Sequence, residues 1–343
     1  MTIGIAAITD GGWRLARRLA AALPAGRLLA AENRGIAELL AENWRHHDGF
    51  ILIMAAGVAV RAIAPLLTDK RNDPAVVVMD ERGRHAISLV SGHLGGGNAL
   101  ARRVAAICGG EAVITTASDT LGLAALDLWA KKQRLVPESS KRLTKVSALL
   151  VNRGTVTLYS EIPVEFLPAG LVQVDKMGQA NIIVSNRLID SEALLLRPRN
   201  VVVGVGCNRG ATMVELDQAL TEILDESHLS RLAVRNLASI EQKRDEDGLI
   251  ELARNNHWPV DFFTSAALNA KAASLDNSQL ALAFSPAAMR AVGASHGVAE
   301  PAALISAASN HLLCGKRKWN NVTLAIAQAS CTLSASDLEQ SSI

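Results

Sequence analysis

Aromatic residues make up only 3% of this 343-residue chain, with a single tyrosine. So few ring faces argue against a stacking platform for single-stranded nucleic acid. The four cysteines, Cys108, Cys207, Cys314 and Cys331, never fall into CxxC spacing. Neither a zinc site nor a disulfide framework is indicated, and no bound metal or cofactor is expected. No uninterrupted apolar run reaches the roughly 18 residues of a membrane span, and the opening "MTIGIAAITDGGWRLARR" lacks the basic-then-apolar order of a secretion signal. A cytoplasmic protein without a membrane partner is expected. Charge of one sign is missing too, because a formal net charge of +2 is too small to argue for a nucleic-acid partner.

What the chain does contain is apolar material, 49% of its residues, enough for the cores of two or three domains. The first third alternates buried strands ("IGIAAIT", "GFILIM") with helical patterns ("GWRLARRLAAAL", "GVAVRAIAPLL"), the signature of an α/β unit with a mostly parallel sheet covered on both faces. "AVVVMD" and "HAISLV" read as strands joined by the tight "ERGR" turn. "GNALARRVAAIC" then reads as a helix, and "AVITTASD" as a strand entering a loop. The boundaries predicted are an N-terminal α/β domain over 1–132, a small central module, partly linker-like, over 133–197, a C-terminal α/β domain over 198–330, and a disordered polar tail over 331–343.

Between Ile51 and Ala105, seven basic residues (Arg61, Lys70, Arg71, Arg82, Arg84, Arg102, Arg103) stand against four acids (Asp69, Asp73, Asp80, Glu81). This local surplus points to an anionic small molecule. "SGHLGGGNA" follows a strand and opens a helix, the arrangement in which backbone N–H groups can meet an oxyanion. Its glycines, Gly92, Gly95, Gly96 and Gly97, fit neither a P-loop nor GxGxxG, and His93 has no second metal-ligating residue at helical or loop spacing. Two readings stay open for this stretch: glycines that permit close packing, or a loop for substrate or anion. "ITTASDT" sets Thr115, Thr116, Ser118 and Asp119 at a strand end, where they could hold substrate oxygens or cap the next helix. Loops after Met54, Val90 and Thr116 are expected at one end of the sheet, where α/β proteins bind ligands; Lys70 and Arg71, preceding a strand, are expected at the other. A second Gly-rich turn, "VGVGCNRGAT", offers Gly204, Gly206 and Gly210 for close backbone approach, Arg209 for a carboxylate, and Cys207 as either a nucleophile or a small buried filler.

Taken together and in this order, these blocks resemble the cobalt-precorrin-5A hydrolase (CbiG) family of anaerobic cobalamin biosynthesis. The likeness is carried by "GVAVRAIAPLLTDKRNDPAVVVMDERGRHAISLVSGHLGGGNALARRVA", "ITTASDT", "VGVGCNRG", "LASIEQKRDEDGLIELA" and "GVAEPAALISA", although the family more often has a basic residue where Asn208 stands. It implies a hydrolase acting on a carbon–carbon bond: water opens the ring-A δ-lactone of a cobalt-bearing polycarboxylate corrinoid, and the methylated C20 bridge leaves as acetaldehyde. The cobalt would arrive with the substrate, and neighbouring enzymes of the pathway are candidate partners. Hydrolysis needs a base for water and donors for the developing oxyanion. The roles expected are His93 as acid or base, Asp119 as its orienter and Ser91 as a hydroxyl beside them. The N–H groups of Gly95 to Gly97 are expected as donors and Arg61 and Arg209 as carboxylate anchors, with Gly92, Asn98, Thr115, Thr116, Ser118, Gly206, Cys207 and Gly210 completing the substrate surface. A pocket within the first domain and one between domains both remain open, the size of a macrocycle favouring the second. The C-terminal unit also resembles a protein that stands alone in the aerobic route, which keeps a non-catalytic corrinoid carrier as the alternative.

Overall fold

Phe50, Ile51, Leu52 and Ile53 follow one another along a single strand, and all four are buried. Successive strand residues point to opposite faces, so such a strand needs cover on both sides. In the computed structural model, which describes residues 1–30, 34–69, 72–93, 95–275 and 282–334, that cover is present. The first sheet comprises β1 (Ile3–Ala7), β2 (Gly26–Leu28), β3 (Gly49–Ile53), β4 (Ala75–Met79), β5 (His85–Val90) and β6 (Glu111–Val113), in the spatial order β2-β1-β3-β4-β5-β6. Leu15 and Leu19 of α1 (Asp10–Ala22) lie on one face with Ile51 and Ile53. Leu39 and Leu40 of α2 (Ile36–Asn43) and Ala59 and Ile63 of α3 (Ala56–Ile63) lie on the other with Phe50 and Leu52. Leu100 and Val104 of α4 (Gly97–Cys108) complete the first face.

The strands β1 to β4 are parallel, but β5 pairs antiparallel with β4, and β6 runs parallel to β5. This reversal corrects the expected placement of the loops. Val90 pairs with Val76 at the start of β4, so the His93 loop and the segment after β6 open where β3 and β4 begin. Met54 and α3 lie at the opposite end. Thr68 and Asp73 therefore share an end with His93, while Lys70 and Arg71, expected at the end opposite the ligand loops, lie outside the described residues. A tight turn between two strands enforces this geometry, since a parallel crossover needs a dozen or more residues.

Next come α5 (Ala117–Thr120) and α6 (Leu126–Lys132), then a second sheet of β7 (Leu135–Pro137), β8 (Val156–Ser160), β9 (Leu171–Gln173), β10 (Ile182–Val184) and β11 (Leu194–Pro198), ordered β7-β11-β10-β8-β9, with α7 (Ser140–Arg153) packed on it. The central region is thus no loose linker. Leu150, Leu158, Ile182, Val184 and Leu196 share a core of their own. Leu126, Trp129 and Ala130 belong to that core, so α6, expected to close the first domain, instead opens the second. The tail expectation is corrected at its start as well. Leu333 is buried in the same core, its N–H donates to the Pro163 carbonyl at 2.8 Å, and its own carbonyl accepts from the Glu165 N–H at 2.9 Å; residues 335–343 lie outside the described residues. Leu333→Ala should lower stability by about 2–3 kcal/mol in urea unfolding, and an unchanged midpoint would mean that this end does not pack.

The third sheet holds β12 (Val201–Cys207), β13 (Val234–Ile240), β14 (Val260–Phe263), β15 (Leu312–Lys318) and β16 (Val322–Gln328), ordered β14-β13-β12-β16-β15. It packs with α8 (Met213–Glu226), α9 (Asp247–Asn255), α10 (Ser265–Ala273), α11 (Pro286–Val292) and α12 (Ala299–Ser306). The capping box at Thr212 and Glu215 starts α8, satisfying backbone donors that the first helical turn leaves free. A side chain at Gly204 would place its Cβ 1.8 Å from the Ala299 carbonyl oxygen, so this glycine admits α12 onto β12. It serves the protein's own helix rather than a ligand. Three α/β units, with mostly parallel sheets, result. Among the described residues, no helix is long and apolar enough to cross a membrane.

Candidate active site

Three sequence blocks converge where β5 and β6 end. Ser91 takes a left-handed backbone (φ 56°), which reverses the chain after β5. The Gly96 N–H then donates to the His93 carbonyl, the Gly97 N–H to that of Ser91 and the Asn98 N–H to that of Gly92, all within 3.0 Å. The loop is closed by its own backbone bonds. Gly96 and Gly97 are therefore not free to serve as oxyanion donors, a correction to the role expected of them. A Cβ at Gly97 would come 2.9 Å from the Val90 carbonyl oxygen, and one at Gly92 2.7 Å from Asn98 Oδ1, which explains why the loop uses glycine at both positions.

The folded loop presents His93 to Asp119. Nε2 donates to Asp119 Oδ2 at 2.8 Å, and Ser118 Oγ lies 3.2 Å from the same nitrogen. Asn98 and Arg102 project from one face of α4, one turn apart, and complete the carboxylate's surroundings. Asn98 Nδ2 reaches Oδ2 at 2.9 Å and Thr116 Oγ1 at 3.1 Å, and Arg102 donates to Oδ1 at 2.6 Å. Burial acts to raise the Asp119 pKa, but the Arg102 and His93 contacts outweigh it and hold the carboxyl below its ordinary value. An ionised carboxylate only accepts, so Nε2 carries the ring proton and Nδ1 of the neutral ring is the proton acceptor. Asp127 Oδ1 lies 3.9 Å from Nδ1, a distance for charge stabilisation rather than for a direct hydrogen bond. Because Asp127 stands on α6, the site lies at the seam between the first and second units.

The low Asp119 pKa has a consequence for stability. A group whose folded value is depressed stabilises fully above its unfolded pKa, about 4, and loses that contribution as the pH falls through the folded value. Asp119→Asn should therefore lose less stability than the native chain between about pH 5 and about pH 2 in denaturant titrations. Parallel curves would show that Asp119 carries no such linkage.

The other expected residues distribute as follows. Ser91 Oγ donates to the Asp73 carbonyl at 2.9 Å and takes no part in the His93 cluster; Ser118 is the hydroxyl beside the imidazole. Ser91→Ala should leave turnover close to native and cost about 1 kcal/mol of stability, as a comparison of rate and urea midpoint would show. Arg61 lies exposed on α3 at the far end of the sheet, where it donates to the Gly57 carbonyl, and so is not an anchor for this site. Thr115 is exposed beside the cluster and Gly95 turns away from it towards a cavity. Neither Ser118 nor Asp119 caps α5, whose N-cap position is Thr116 with no side-chain cap bond.

The second Gly-rich turn forms a separate group, and no hydrogen bond or ion pair among the described residues joins it to His93. Arg209, exposed, donates to Asp245 Oδ1 at 2.8 Å and to the Gln242 carbonyl at 3.2 Å, while the Gly210 N–H donates to Glu246 Oε1 at 2.7 Å. Its expected carboxylate anchor is thus already occupied by the protein. Glu246 is buried with Lys243, 2.9 Å away. Burial pushes the Cys207 thiol up, with Lys243 opposing, which disfavours the thiolate a nucleophile needs. A Cβ at Gly206 would meet Val298 at 3.6 Å, ordinary packing distance. Sequence reasoning missed Arg102 and Asp127 as members of the His93 site. Arg102 could have been found from its one-turn spacing to Asn98, whereas Asp127 carried no such signal, since its helix reads as the end of the first unit. No group of three or more His, Cys, Asp or Glu residues able to hold a metal occurs among the described residues.

An α/β chain with a histidine and carboxylate pair at a Gly-rich loop fits the class of hydrolytic enzymes, and comparison with known proteins gives the family. Residues 38–119 match the family model for the cobalamin synthesis G N-terminal region, 124–198 that for the cobalamin biosynthesis central region, and 201–327 that for the cobalamin synthesis G C-terminus. The chain is 34% identical over 310 residues to a cobalt-precorrin-5A hydrolase of Priestia megaterium, covering 84% of this chain and 80% of that protein. It is 35% identical over 294 residues to the cobalt-precorrin-5A hydrolase of Salmonella typhimurium, covering 78% and 83%. Protein CobE of a Sinorhizobium species is 28% identical over 114 residues, 33% of this chain and 69% of that protein. The chain belongs to the cobalamin synthesis G family.

Proposed function

We propose that this protein hydrolyses cobalt-precorrin-5A in cobalamin biosynthesis. Water opens the ring-A δ-lactone, and the C20 bridge carbon leaves with its methyl group as acetaldehyde, giving cobalt-precorrin-5B. The observation that carries the assignment of the site is His93 held between two carboxylates, with its Nε2 proton directed to Asp119. Nδ1 then takes a proton from water at the lactone, and the imidazolium that forms is stabilised by Asp119 on one side and Asp127 on the other. Arg102 keeps Asp119 ionised for that task, and Ser118 supplies a hydroxyl beside the ring. The corrinoid lies over the loop after β5 and the α4 and α5 termini, with Thr115 and Thr116 at its margin. Its cobalt is part of the substrate and the protein brings no cofactor. The reaction takes place in the cytoplasm, where neighbouring enzymes of the pathway supply the substrate and accept the product.

The experiment is to incubate the purified protein with cobalt-precorrin-5A and couple acetaldehyde to alcohol dehydrogenase, following NADH oxidation. Release of acetaldehyde in step with substrate loss supports the hydrolase. Tight corrinoid binding without acetaldehyde would overturn it in favour of a carrier.

A further inference from the structure

The loop that presents His93 has a second side. Gly95 lines a cavity of about 560 Å³ together with Trp44, Arg45, His47, Asp48 and Asp73. Gly95 is two positions after His93, so the cavity wall begins within about 7 Å of the His93 Cα. The Ser91 hydroxyl, bonded to the Asp73 carbonyl at 2.9 Å, ties that wall to the His93 loop.

Charge in the cavity is unevenly satisfied. Both oxygens of Asp73 accept from the Thr68 N–H, at 3.1 and 3.0 Å, and Oδ1 also from the Thr68 hydroxyl at 3.0 Å. Asp48 Oδ2 accepts from the Thr2 N–H at 2.6 Å and from the Thr2 hydroxyl at 3.2 Å. Both acids already have donors. The guanidinium of Arg45, by contrast, is exposed and has no hydrogen bond or ion pair with another described residue. His47 Nδ1 donates to the Asn43 carbonyl at 3.2 Å, which fixes the ring in the cavity wall. The guanidinium is thus the one charged group of this named lining without a protein partner among the described residues, and its fork matches a carboxylate.

We propose that this cavity is a carboxylate subsite that receives one peripheral acid side chain of the substrate, with Arg45 as its anchor. The inference rests on the reading that a polycarboxylate corrinoid docks over the His93 loop. It adds to that reading a specificity residue far from His93 in sequence, at the end of α2. Holding one acid arm there would set the ring's position relative to Nδ1 without any part in the proton transfer, so its loss should appear in KM rather than in kcat.

Arg45→Gln and Arg45→Lys separate the possibilities. With cobalt-precorrin-5A, Arg45→Gln should raise KM roughly tenfold with kcat nearly unchanged, and Arg45→Lys should fall between it and the native chain. Direct binding gives a readout independent of turnover. Dicyanocobyrinic acid, with free acid side chains, should bind the Gln variant more weakly than the native protein, whereas dicyanocobinamide, whose side chains are amidated, should bind both alike. An unchanged KM and an unchanged affinity for dicyanocobyrinic acid would overturn the subsite, as would an equal loss for both corrinoids. A native protein that binds dicyanocobyrinic acid through Arg45 yet releases no acetaldehyde would leave the subsite standing and remove the hydrolase.

Discussion

His93→Ala is expected to lower acetaldehyde release by a factor of roughly 10²–10⁴ while corrinoid binding persists. The reason lies in the geometry. The imidazole is the one group of the cluster placed to accept a proton, because Asp119 is committed to three donors, His93, Asn98 and Arg102. Removing the ring leaves Asp119 with two of them, so the pocket should keep its charge and its shape. Turnover measured by the coupled assay and binding followed by the corrinoid absorption spectrum would separate the two effects. A fully active variant would take His93 out of the mechanism, and a variant that neither turns over nor binds would make it a contact for the substrate instead.

The second large effect belongs to the fold. Gly204→Ala should destabilise the C-terminal unit by about 3 kcal/mol, the upper end of the ordinary overpacking cost. The new methyl group would sit 1.8 Å from the Ala299 carbonyl oxygen and 2.7 Å from its carbon. Backbone faces backbone at this point, so no side chain can turn aside, and α12 must lift from β12. Gly206→Ala in the same strand is the control, since its nearest neighbour would be 3.6 Å away. Urea midpoints of the two variants should differ clearly, and equal midpoints would show that α12 tolerates the shift.

How much of this could be read beforehand differs from element to element. The strands at the centre of the first and third sheets were legible because burial on both faces writes them as unbroken apolar runs, as in "GFILIM" and "VVVGV". β2, β7 and β9, at three residues each, are too short to show a period of two. β15 was hidden for another reason: "GKRK" reads as a solvated charge run, yet lysine and arginine suit a strand at the edge of a sheet, where they discourage pairing with another chain.

The site was partly legible. His93, Asn98, Thr116, Ser118 and Asp119 were found together, because a Gly-rich strand-to-helix turn and a neighbouring strand end converge in an α/β sheet. Ser91 was misplaced, since its side-chain direction depends on a left-handed backbone that sequence does not announce. The grouping of the loops after Met54 and Val90 failed although its correction was present in the sequence. A four-residue turn such as "ERGR" can join only antiparallel strands, and antiparallel strands deliver their following loops to opposite ends. Asp127 needed the tertiary fact that α6 packs on the second sheet.

That last fact reaches beyond the geometry of one side chain. An imidazole with one carboxylate from each of two modules is a relay whose terminals are manufactured separately, and fusing the modules in a single polypeptide fixes their ratio at one to one. Severed between Gly122 and Leu123, the first module would retain its six strands, the histidine and Arg102, but it would have to recruit its second terminal by diffusion.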